Sequence, residues 1–489
     1  MKQKETGILL AISSLPSRHG IGDFGPRAYQ FIDLLEENGL DLWQILPLNP
    51  LGYGNSPYQP YSSKAIDEIY ISLTQLQRDK LLPKRIATFH PKSVRVDYTE
   101  VRMFKLPYLR KAYEKFIKEN RRGFKAFKKR NPWVYNYALF ITFKKHNYDA
   151  LWLYWPIEFK DYPLHKNLDL SYFEEEIEFN MWLQFIAYKQ WQKLHRYAKK
   201  HGINLVGDIP IYVGIDSVDV WENRDTFLLD KNGFPTHVAG VPPDYFSKTG
   251  QRWGNPLYDW EYLEKTNFAF WKDRLGYNSK LFDVIRIDHF RAFDTYWKIP
   301  ADCPTAEVGE WILAPGYKLF DELLKTYPDL KIVAEDLGDL REEVLVLRDH
   351  YDLPGMEIVQ FAYEIGEDSS IKYPKTNRLV YTGTHDNQTL KGWFTSFPLK
   401  KQLEIIEDLA NRGFTYEDPM DSFLAYTLSS TARIAIFPLQ DVLGLDDRAR
   451  FNTPGTIGRP NWEWKLKNFT QTKKRLAFLG ELNKKYRKE

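Results

Sequence analysis

The chain is nearly free of cysteine, with Cys303 as the single thiol among 489 residues. One thiol excludes an internal disulfide framework and fits a reducing compartment, so we expect a cytoplasmic protein. Cys303 stands in Ala-Asp-Cys-Pro without an adjacent activating base. This favours a passive thiol over a catalytic nucleophile.

The sequence also lacks a long apolar run and an excess of one charge. No run approaches the roughly 18 residues that a membrane span needs, which predicts no membrane association. The basic N-terminus leads into an apolar segment at 7–12, which is shorter than a signal-peptide core of about 7–15 residues. The 68 basic and 65 acidic residues nearly balance, which argues against a dedicated nucleic-acid binder.

Aromatic residues are abundant, at 16% of the chain, with 15 Trp and 31 Tyr. Amphipathic aromatic rings suit the apolar faces of sugars, although most aromatic residues simply pack cores. The turn-rich segment 52–58 contains tyrosines that we expect to be exposed. It is either a binding loop or an ordinary turn. The basic run 121–130 could contact nucleic acid, but a solvated helix face that buries its phenylalanines is the better interpretation.

Short apolar runs alternate with helical patterns, which predicts βα units and a parallel sheet. Eight such runs predict the strands of a (β/α)₈ barrel, at 7–12, 41–46, 203–208, 282–288, 331–335, 356–362, 379–384 and 433–437. The prediction is an α/β protein in which 1–489 form one catalytic barrel. A mostly helical subdomain is inserted at 50–175 after strand 2, and aromatic cleft loops at 210–265 after strand 3. The basic, helical C-terminal tail predicts no terminal β-sandwich.

Helices are predicted at 26–37, 176–201, 268–280 and 317–325, and Asp339-Leu-Arg-Glu342 resembles a capping box that opens another. The segment 281–290 is the most informative stretch, because Arg286 interrupts an apolar run that Asp288 ends. In a strand, Val284, Arg286 and Asp288 share one face, so the guanidinium would favour the ionised form of the carboxylate. This describes either a primed nucleophile or a structural ion pair.

Active residues of such barrels lie at the carboxyl ends of the strands. Those ends carry Asp208, Asp288, Glu335 and Asp386. Asp336 falls on the other face or in the loop, and Asp283 lies at the opposite end of the barrel. Converging acids could bind a divalent metal, act as acid and base in enolisation, or work as a glycosidase pair. Arg286 disfavours a metal, no zinc motif or phosphate fingerprint is present, and the aromatic loops favour sugar.

Several segments carry a specific resemblance, in order along nearly the whole chain. They are Ser13-Ser-Leu-Pro16, Asn55-Ser-Pro-Tyr58, Gly207-Asp-Ile-Pro-Ile-Tyr212, Asp216-Ser-Val-Asp-Val-Trp221, Pro242-Pro-Asp244, Gly250-Gln-Arg-Trp-Gly-Asn-Pro256, Arg286-Ile-Asp-His-Phe-Arg-Ala-Phe293, Ala334-Glu-Asp-Leu-Gly338, Thr382-Gly-Thr-His-Asp-Asn387 and Phe451-Asn-Thr-Pro-Gly-Thr456. Together they resemble the signature segments of the 4-α-glucanotransferase (amylomaltase) family, a branch of the α-amylase-like barrels.

The resemblance implies roles for particular residues. Asp288 would be the nucleophile, Glu335 the general acid/base and Asp386 the third carboxylate that positions sugar hydroxyls. The implied substrate-binding positions are Tyr53, Ser56, Tyr58, Asp208, Asp244, Gln251, Trp253, Arg286, His289, His385 and Asn452. The chain departs from the family pattern at Ala292, Gln388 and Arg252.

The function implied by the resemblance is disproportionation of α-1,4-glucans and maltooligosaccharides by a retaining double displacement, with no metal or cofactor. Retention needs the two carboxyls about 5–5.5 Å apart. The mechanism also needs a raised pKa for Glu335 and an ionised Asp288. Hydrolysis on the same site and a non-catalytic glucan-binding barrel are the alternatives. The oligomeric state stays open, and a monomer is compatible with the sequence.

Overall fold

The computed structural model describes residues 4–119, 121–243, 247–338, 340–366 and 377–488. The strands of these ranges are β1 Glu5–Leu9, β2 Leu42–Gln44, β3 Asn204–Pro210, β4 His237–Val241, β5 Gln251–Pro256, β6 Val284–Asp288, β7 Thr295–Pro300, β8 Glu310–Leu313, β9 Ile332–Ala334, β10 Gly355–Ile358, β11 Arg378–Tyr381 and β12 Ile434–Pro438.

The α-helices of the same ranges surround and extend these strands. They are α1 Pro26–Glu37, α2 Leu73–Arg78, α3 Tyr98–Lys118, α4 Phe124–Arg130, α5 Trp133–His146, α6 Ile157–Lys160, α7 Tyr162–His165, α8 Glu174–Lys200, α9 Val218–Glu222, α10 Trp260–Lys265, α11 Ala269–Asn278, α12 Gly316–Thr326, α13 Glu342–His350, α14 Val359–Ala362, α15 Leu390–Ser396, α16 Leu399–Asn411, α17 Pro419–Ser429, α18 Leu439–Val442 and α19 Thr470–Asn483. No helix within the described ranges is long and apolar enough to cross a membrane.

A parallel sheet in the order β10-β11-β12-β1-β2-β3-β6-β9 forms the centre of the molecule. The ring nearly closes where Ala334 of β9 donates its N–H to the carbonyl of Pro354, just before β10, at 2.8 Å. Helices surround this sheet, so the arrangement is the predicted (β/α)₈ barrel. Gly207 is needed where β3 packs on Phe282, because a Cβ there would lie 2.2 Å from the phenyl ring.

The eight predicted barrel strands are all present, but most are shorter than the apolar runs that predicted them. The run at 7–12 ends as a strand at Leu9, and Ile12–Ser14 form a 3₁₀ turn. The run at 356–362 is a strand only to Ile358 and continues as α14. The predicted ends of these two strands were wrong. An apolar run indicates burial, and the residues of the first turn after a strand are buried as well as those of the strand itself.

The predicted helix at 26–37 is confirmed as α1, with Pro26 in its first turn. The capping-box prediction was wrong, because α13 begins at Glu342 and Arg341 occupies the N-cap without a capping side-chain bond. Asp339, the predicted cap, lies outside the described residues.

Helices α2 to α8 occupy the chain between β2 and β3, where the helical insertion was predicted. The basic run 121–130 contains α4, which buries Phe124 and Phe127 while its lysines face solvent or partner acids such as Glu178. The solvated-helix interpretation of this run is therefore confirmed. The exact limits of the inserted units stay a prediction.

The structure contains a second sheet that the sequence analysis missed. Antiparallel strands in the order β5-β4-β7-β8 combine the loop after β3 with the segment after β6. The segment 210–265 was predicted as irregular loops, and that was wrong for β4 and β5. Gly240, Gly254 and Pro256 interrupt the alternation in these strands. The second partner of β4 is β7, which lies far away in sequence.

Candidate active site

Asp288 and Glu335 stand side by side at the carboxyl ends of neighbouring strands. Ile287 of β6 is in register with Ala334 of β9, and Glu335 continues the ladder by donating its N–H to the carbonyl of Ile287 at 3.0 Å. Adjacent strands lie about 4.8 Å apart and residues in register point to the same face. The two carboxyl groups therefore project from neighbouring positions into the barrel mouth.

Arg286 is held between two carboxylates on the same side of the sheet. Its Nη1 donates to both oxygens of Asp208 at 2.8 Å, and its Nη2 lies 3.0 Å from an oxygen of Asp288. Arg286 and Asp208 are fully buried, whereas Asp288 keeps 32% of its side chain exposed. The strand alternation thus placed these groups correctly, and Asp288 retains an accessible carboxylate oxygen.

Glu335 is oriented by two backbone donors. The N–H of His289 donates to Oε2 at 2.7 Å and the N–H of Leu337 donates to Oε1 at 3.1 Å. His289 has a left-handed backbone with φ of 56°, which turns the chain sharply after β6. Burial, reinforced by the charge of Asp288, raises the pKa of Glu335 to about 7.

The electrostatics of Asp288 differ from the prediction. Burial raises the pKa of Asp288, and the charges of Asp208 and Asp386 act in the same direction, whereas Arg286 opposes them. The prediction that Arg286 promotes ionisation was right about the sign of that one interaction, but it omitted the cost of burial. Among the described contacts Arg286 bonds to Asp288 and Glu335 accepts only backbone N–H groups, so Glu335 is the carboxyl that we expect to hold a proton near neutral pH.

Asp386 follows β11 and is oriented by the segment after β12. Nδ2 of Asn452 donates to Oδ1 of Asp386 at 2.7 Å, and the Nε2 of His385 lies 3.4 Å from Oδ2. Nη2 of Arg450 donates to the main-chain carbonyl of Asp386 at 2.7 Å. Asp386 is 44% exposed, so its carboxylate is free to meet a sugar hydroxyl.

Aromatic rings form one wall of the mouth. Tyr58 stacks on His385 with ring centroids 5.1 Å apart and an angle of 14° between the planes. Trp462 packs near both rings. The Tyr58 hydroxyl donates to Asp208 at 2.7 Å, and burial and the Asp208 charge raise its pKa well above the usual range. Tyr58 therefore joins the buried acid network to an aromatic surface suited to a sugar ring.

The second sheet also contributes aromatic surface next to the acids. The Trp253 ring of β5 lies perpendicular to the His289 ring at 4.8 Å, and its Nε1 donates to Gln251 at 3.3 Å. Burial, with a smaller effect of Arg291, lowers the pKa of His289 to about 4, so this imidazole is neutral at neutral pH. The second sheet thus carries Gln251 and Trp253, two of the predicted substrate-binding residues. Trp253 contacts His289, whose N–H orients Glu335.

The remaining predicted positions differ in their placement. Oγ of Ser56 accepts the N–H of Tyr58 at 3.3 Å, which shapes the loop. Tyr53 is 82% exposed, outside the network of buried acids. Asp244 lies outside the described residues.

The sequence analysis missed Arg450 and Trp462. Both flank the Phe451–Thr456 motif that carries Asn452, and that proximity was the available signal. Among the described hydrogen bonds, none of the three departures from the family pattern contacts Asp288, Glu335 or Asp386. Arg252 is exposed and donates to the carbonyl of Ala301, Gln388 donates to Asp447, and Ala292 is buried.

Asp336 is a structural acid beside Glu335, the predicted general acid/base. Its Oδ1 accepts the N–H of Met356 at 2.7 Å and its Oδ2 pairs with the buried Arg348. Asp336→Ala leaves the Met356 N–H without its acceptor and Arg348 without its buried partner, so we expect the free energy of unfolding to fall by about 3–5 kcal/mol. Urea denaturation measures this, with Glu335→Ala as the neighbouring comparison. Equal stability of the two variants would contradict the assignment.

Comparisons with known proteins agree with this geometry. The sequence model of the 4-alpha-glucanotransferase family matches residues 10–472. The chain is 42% identical to the 4-alpha-glucanotransferase of Thermus thermophilus over 480 residues, covering 94% of each protein. It is 38% identical to the chloroplastic/amyloplastic 4-alpha-glucanotransferase of Solanum tuberosum, covering 96% of this chain and 83% of that protein.

A solved structure shows the same architecture. Amylomaltase from Streptococcus agalactiae in complex with acarbose superposes with a TM-score of 0.93 at 34% identity, covering 99% of both chains. The barrel and its mouth of acids and aromatic residues define a carbohydrate-active enzyme with an α-amylase-like (β/α)₈ fold. The chain belongs to the 4-alpha-glucanotransferase family and is a glycosyl-transferring enzyme.

Proposed function

We propose that the enzyme transfers α-1,4-glucan segments between maltooligosaccharides by a double displacement in which Asp288, Glu335 and Asp386 are the catalytic residues. In the first step an oxygen of Asp288 attacks the anomeric carbon while the bond to the glycosidic oxygen breaks. Glu335 gives its proton to that oxygen, and the leaving chain departs. The product is a covalent glycosyl ester on Asp288 with inverted configuration.

The second step reverses the roles of the same groups. The 4-hydroxyl of an acceptor sugar loses its proton to Glu335 and attacks the anomeric carbon, which releases Asp288. Two inversions restore the α linkage. Asp386 accepts hydrogen bonds from sugar hydroxyls beside the reacting centre, and we propose that the segment 210–265 binds the acceptor and excludes water.

The observation that carries this proposal is the difference between two neighbouring carboxyl groups. Glu335 has a pKa raised to about 7 and receives only backbone N–H bonds, whereas Asp288 contacts the guanidinium of Arg286 at 3.0 Å. Paired carboxyls with different environments are the arrangement that general-acid and nucleophile roles require. Adjacent strand positions also suit the short separation of a retaining pair.

The donor and acceptor that we propose are linear α-1,4-glucans. The stacked Tyr58 and His385 rings and the Trp253 ring suit the apolar faces of successive glucose units. The amylomaltase of Streptococcus agalactiae was solved with acarbose, which supports a saccharide in this mouth. The single cysteine supports a cytoplasmic location.

The pH dependence follows from the proton on Glu335. Because Glu335 acts as an acid and its pKa lies at about 7, kcat/KM is expected to fall as the pH rises through 7, by up to tenfold per pH unit above it. On the acidic side of the profile, kcat/KM falls because Asp288 becomes protonated. The two apparent pKa values of the profile belong to the interacting pair of carboxyls and not to either residue alone. Initial rates between pH 4 and 9 measure the profile. A basic limb that begins only above pH 9 would contradict a Glu335 proton donor.

Product analysis tests the proposed activity. EDTA-treated protein is incubated with maltotriose and the products are separated by chromatography. We expect glucose together with a ladder of maltooligosaccharides longer than maltotriose, because each donor loses a segment that an acceptor gains. Maltose and glucose without a ladder would identify a hydrolase, and no reaction over a broad range of temperature and pH would overturn the assignment.

A further inference from the structure

The loop that carries Asp386 is held by two acids outside the proposed catalytic set. This loop, residues 382–389, connects β11 to α15. Asp441 holds both of its ends, because Oδ2 accepts from the hydroxyl of Thr382 at 2.6 Å and Oδ1 accepts from the N–H of Leu390 at 2.8 Å. The loop therefore starts and finishes at fixed points, and the position of Asp386 depends on what holds its middle.

Asp447 holds the part of the loop that follows Asp386. Its Oδ1 accepts from the N–H of Thr389 at 2.9 Å, and its Oδ2 accepts from Nε2 of Gln388 at 2.7 Å. A Cβ at Gly392 would clash with the same carboxylate. The first turn of α15 thus approaches Asp447 closely because residue 392 has no side chain.

The segment that supplies Asp447 also orients Asp386 itself. Three residues after Asp447, Nη2 of Arg450 donates to the main-chain carbonyl of Asp386 at 2.7 Å. Asn452 donates its N–H to the carbonyl of His385 at 3.1 Å and its Nδ2 to Oδ1 of Asp386 at 2.7 Å. A shift of the loop against the segment 447–452 would therefore move the Asp386 carboxylate.

The contact between Gln388 and Asp447 joins an amide donor to a carboxylate. The titratable side chains near this contact are His385, Lys391, Asp441, Asp446, Arg448 and Arg450. Arg448 pairs with Asp446, and no described ion pair includes Asp447. Two carboxylates at hydrogen-bonding distance cannot both ionise without strong repulsion. A neutral donor at position 388 is therefore the partner that suits Asp447.

From these contacts we propose that Gln388 and Asp447 form a positioning pair, which fixes the Asp386 carboxylate for the transfer reaction. Both residues act through the loop and not by contact with the sugar. The inference rests on the role proposed for Asp386, and the experiments below separate the two.

Gln388→Glu tests the pair through the pH. At pH 5 the two carboxyls share one proton and keep a hydrogen bond, whereas at pH 8 both ionise and push the loop away. Relative to the parent at the same pH, we expect kcat for maltotriose disproportionation to fall by about 10- to 100-fold from pH 5 to pH 8, because a small misplacement is costly. KM should change little. A relative kcat independent of pH would overturn the proposal.

Adding Asp447→Asn to this variant exchanges the amide and the carboxylate. The amide at 447 donates to residue 388, and its oxygen still accepts the N–H of Thr389. We therefore expect the double variant to recover the activity lost at pH 8, which is a strongly non-additive result. A double variant no more active at pH 8 than Gln388→Glu would overturn the proposal, because the loss would then not come from the contact with Asp447.

Two further variants control the measurement. Gln471→Glu makes the same chemical change at an exposed position of α19, and its relative kcat should equal that of the parent at pH 5 and pH 8. Gln388→Met covers the case in which Gln388→Glu does not fold at pH 8. It keeps the length of the side chain without the donor, so kcat should fall at least about threefold. An unchanged kcat in Gln388→Met would overturn the proposal.

Asp386→Asn separates this inference from the proposed function. Full transfer activity in Asp386→Asn would remove Asp386 from the catalytic set, and the positioning pair would lose its purpose with it. A large loss in Asp386→Asn together with a relative kcat of Gln388→Glu that is independent of pH would overturn the positioning pair alone. The catalytic role of Asp386 would then stand.

Discussion

Asp288→Ala is expected to lower kcat/KM for maltotriose disproportionation by at least about four orders of magnitude, as loss of a covalent nucleophile does in other enzymes. The first displacement has no other attacking group in place, because Asp208 is fully buried against Arg286. Asp386 is engaged by the side-chain amide of Asn452 at 2.7 Å. Initial rates of glucose release from maltotriose measure the effect.

The fold should survive this change. Asp288 is partly exposed at the strand end, and Arg286 keeps its two bonds to Asp208. We therefore expect a thermal unfolding temperature close to that of the parent and retained binding of maltoheptaose. Asp329→Ala, at an exposed aspartate on the amino side of β9, is the matched control and should keep full activity. Appreciable transfer by Asp288→Ala would remove Asp288 from the nucleophile role.

Glu335→Gln is expected to lower transfer from maltooligosaccharides by about 10²–10⁴-fold, the usual contribution of a general acid. The amide keeps the size of the side chain but has no acidic proton for the glycosidic oxygen. In a donor such as α-maltosyl fluoride, the leaving group is fluoride, which departs without protonation. The first displacement with this donor should therefore be nearly unaffected by the substitution. Comparing the rate loss for the two donors separates proton donation from mere binding. An equal loss for both donors would contradict the role.

The same variant has a pH-dependent effect on stability. The folded-state pKa of Glu335 is about 7 against an ordinary value of 4.5, so the folded protein binds the proton more tightly than the unfolded chain. The free energy of unfolding therefore decreases as the pH rises from 4.5 to 7, by at most about 3 kcal/mol. Glu335→Gln removes this loss. The free energy of unfolding of the variant, relative to that of the parent, should therefore be higher at pH 8 than at pH 5. A stability difference independent of pH would contradict the raised pKa.

The acids of the site could be predicted because their positions follow from strand geometry. An arginine within an apolar run needs a partner, and the two-residue period of a strand placed Arg286 beside Asp288. The same alternation separated Glu335, which faces the mouth, from Asp336, which pairs with Arg348 behind it. Both statements depend on local chain geometry, which sequence records directly.

Other features depend on contacts between distant segments, which a single sequence does not reveal. The pairing of β4 with β7 joins residues about 60 positions apart through strands broken by glycine and proline. Trp462 reaches Tyr58 from the far end of the chain. The direction of the Asp288 pKa shift required the depth of its burial, whereas the sequence showed only the neighbouring cation.

The most direct test of the mechanism is mass spectrometry of the trapped glycosyl-enzyme. Glu335→Gln is incubated with α-maltotriosyl fluoride, which loads the enzyme without acid assistance, while loss of the base slows transfer to an acceptor. We expect a maltotriosyl mass increase on the proteolytic peptide that contains Asp288, and no increase in the double variant with Asp288→Ala. An adduct on another residue, or no adduct while fluoride is still released, would contradict a covalent intermediate on Asp288.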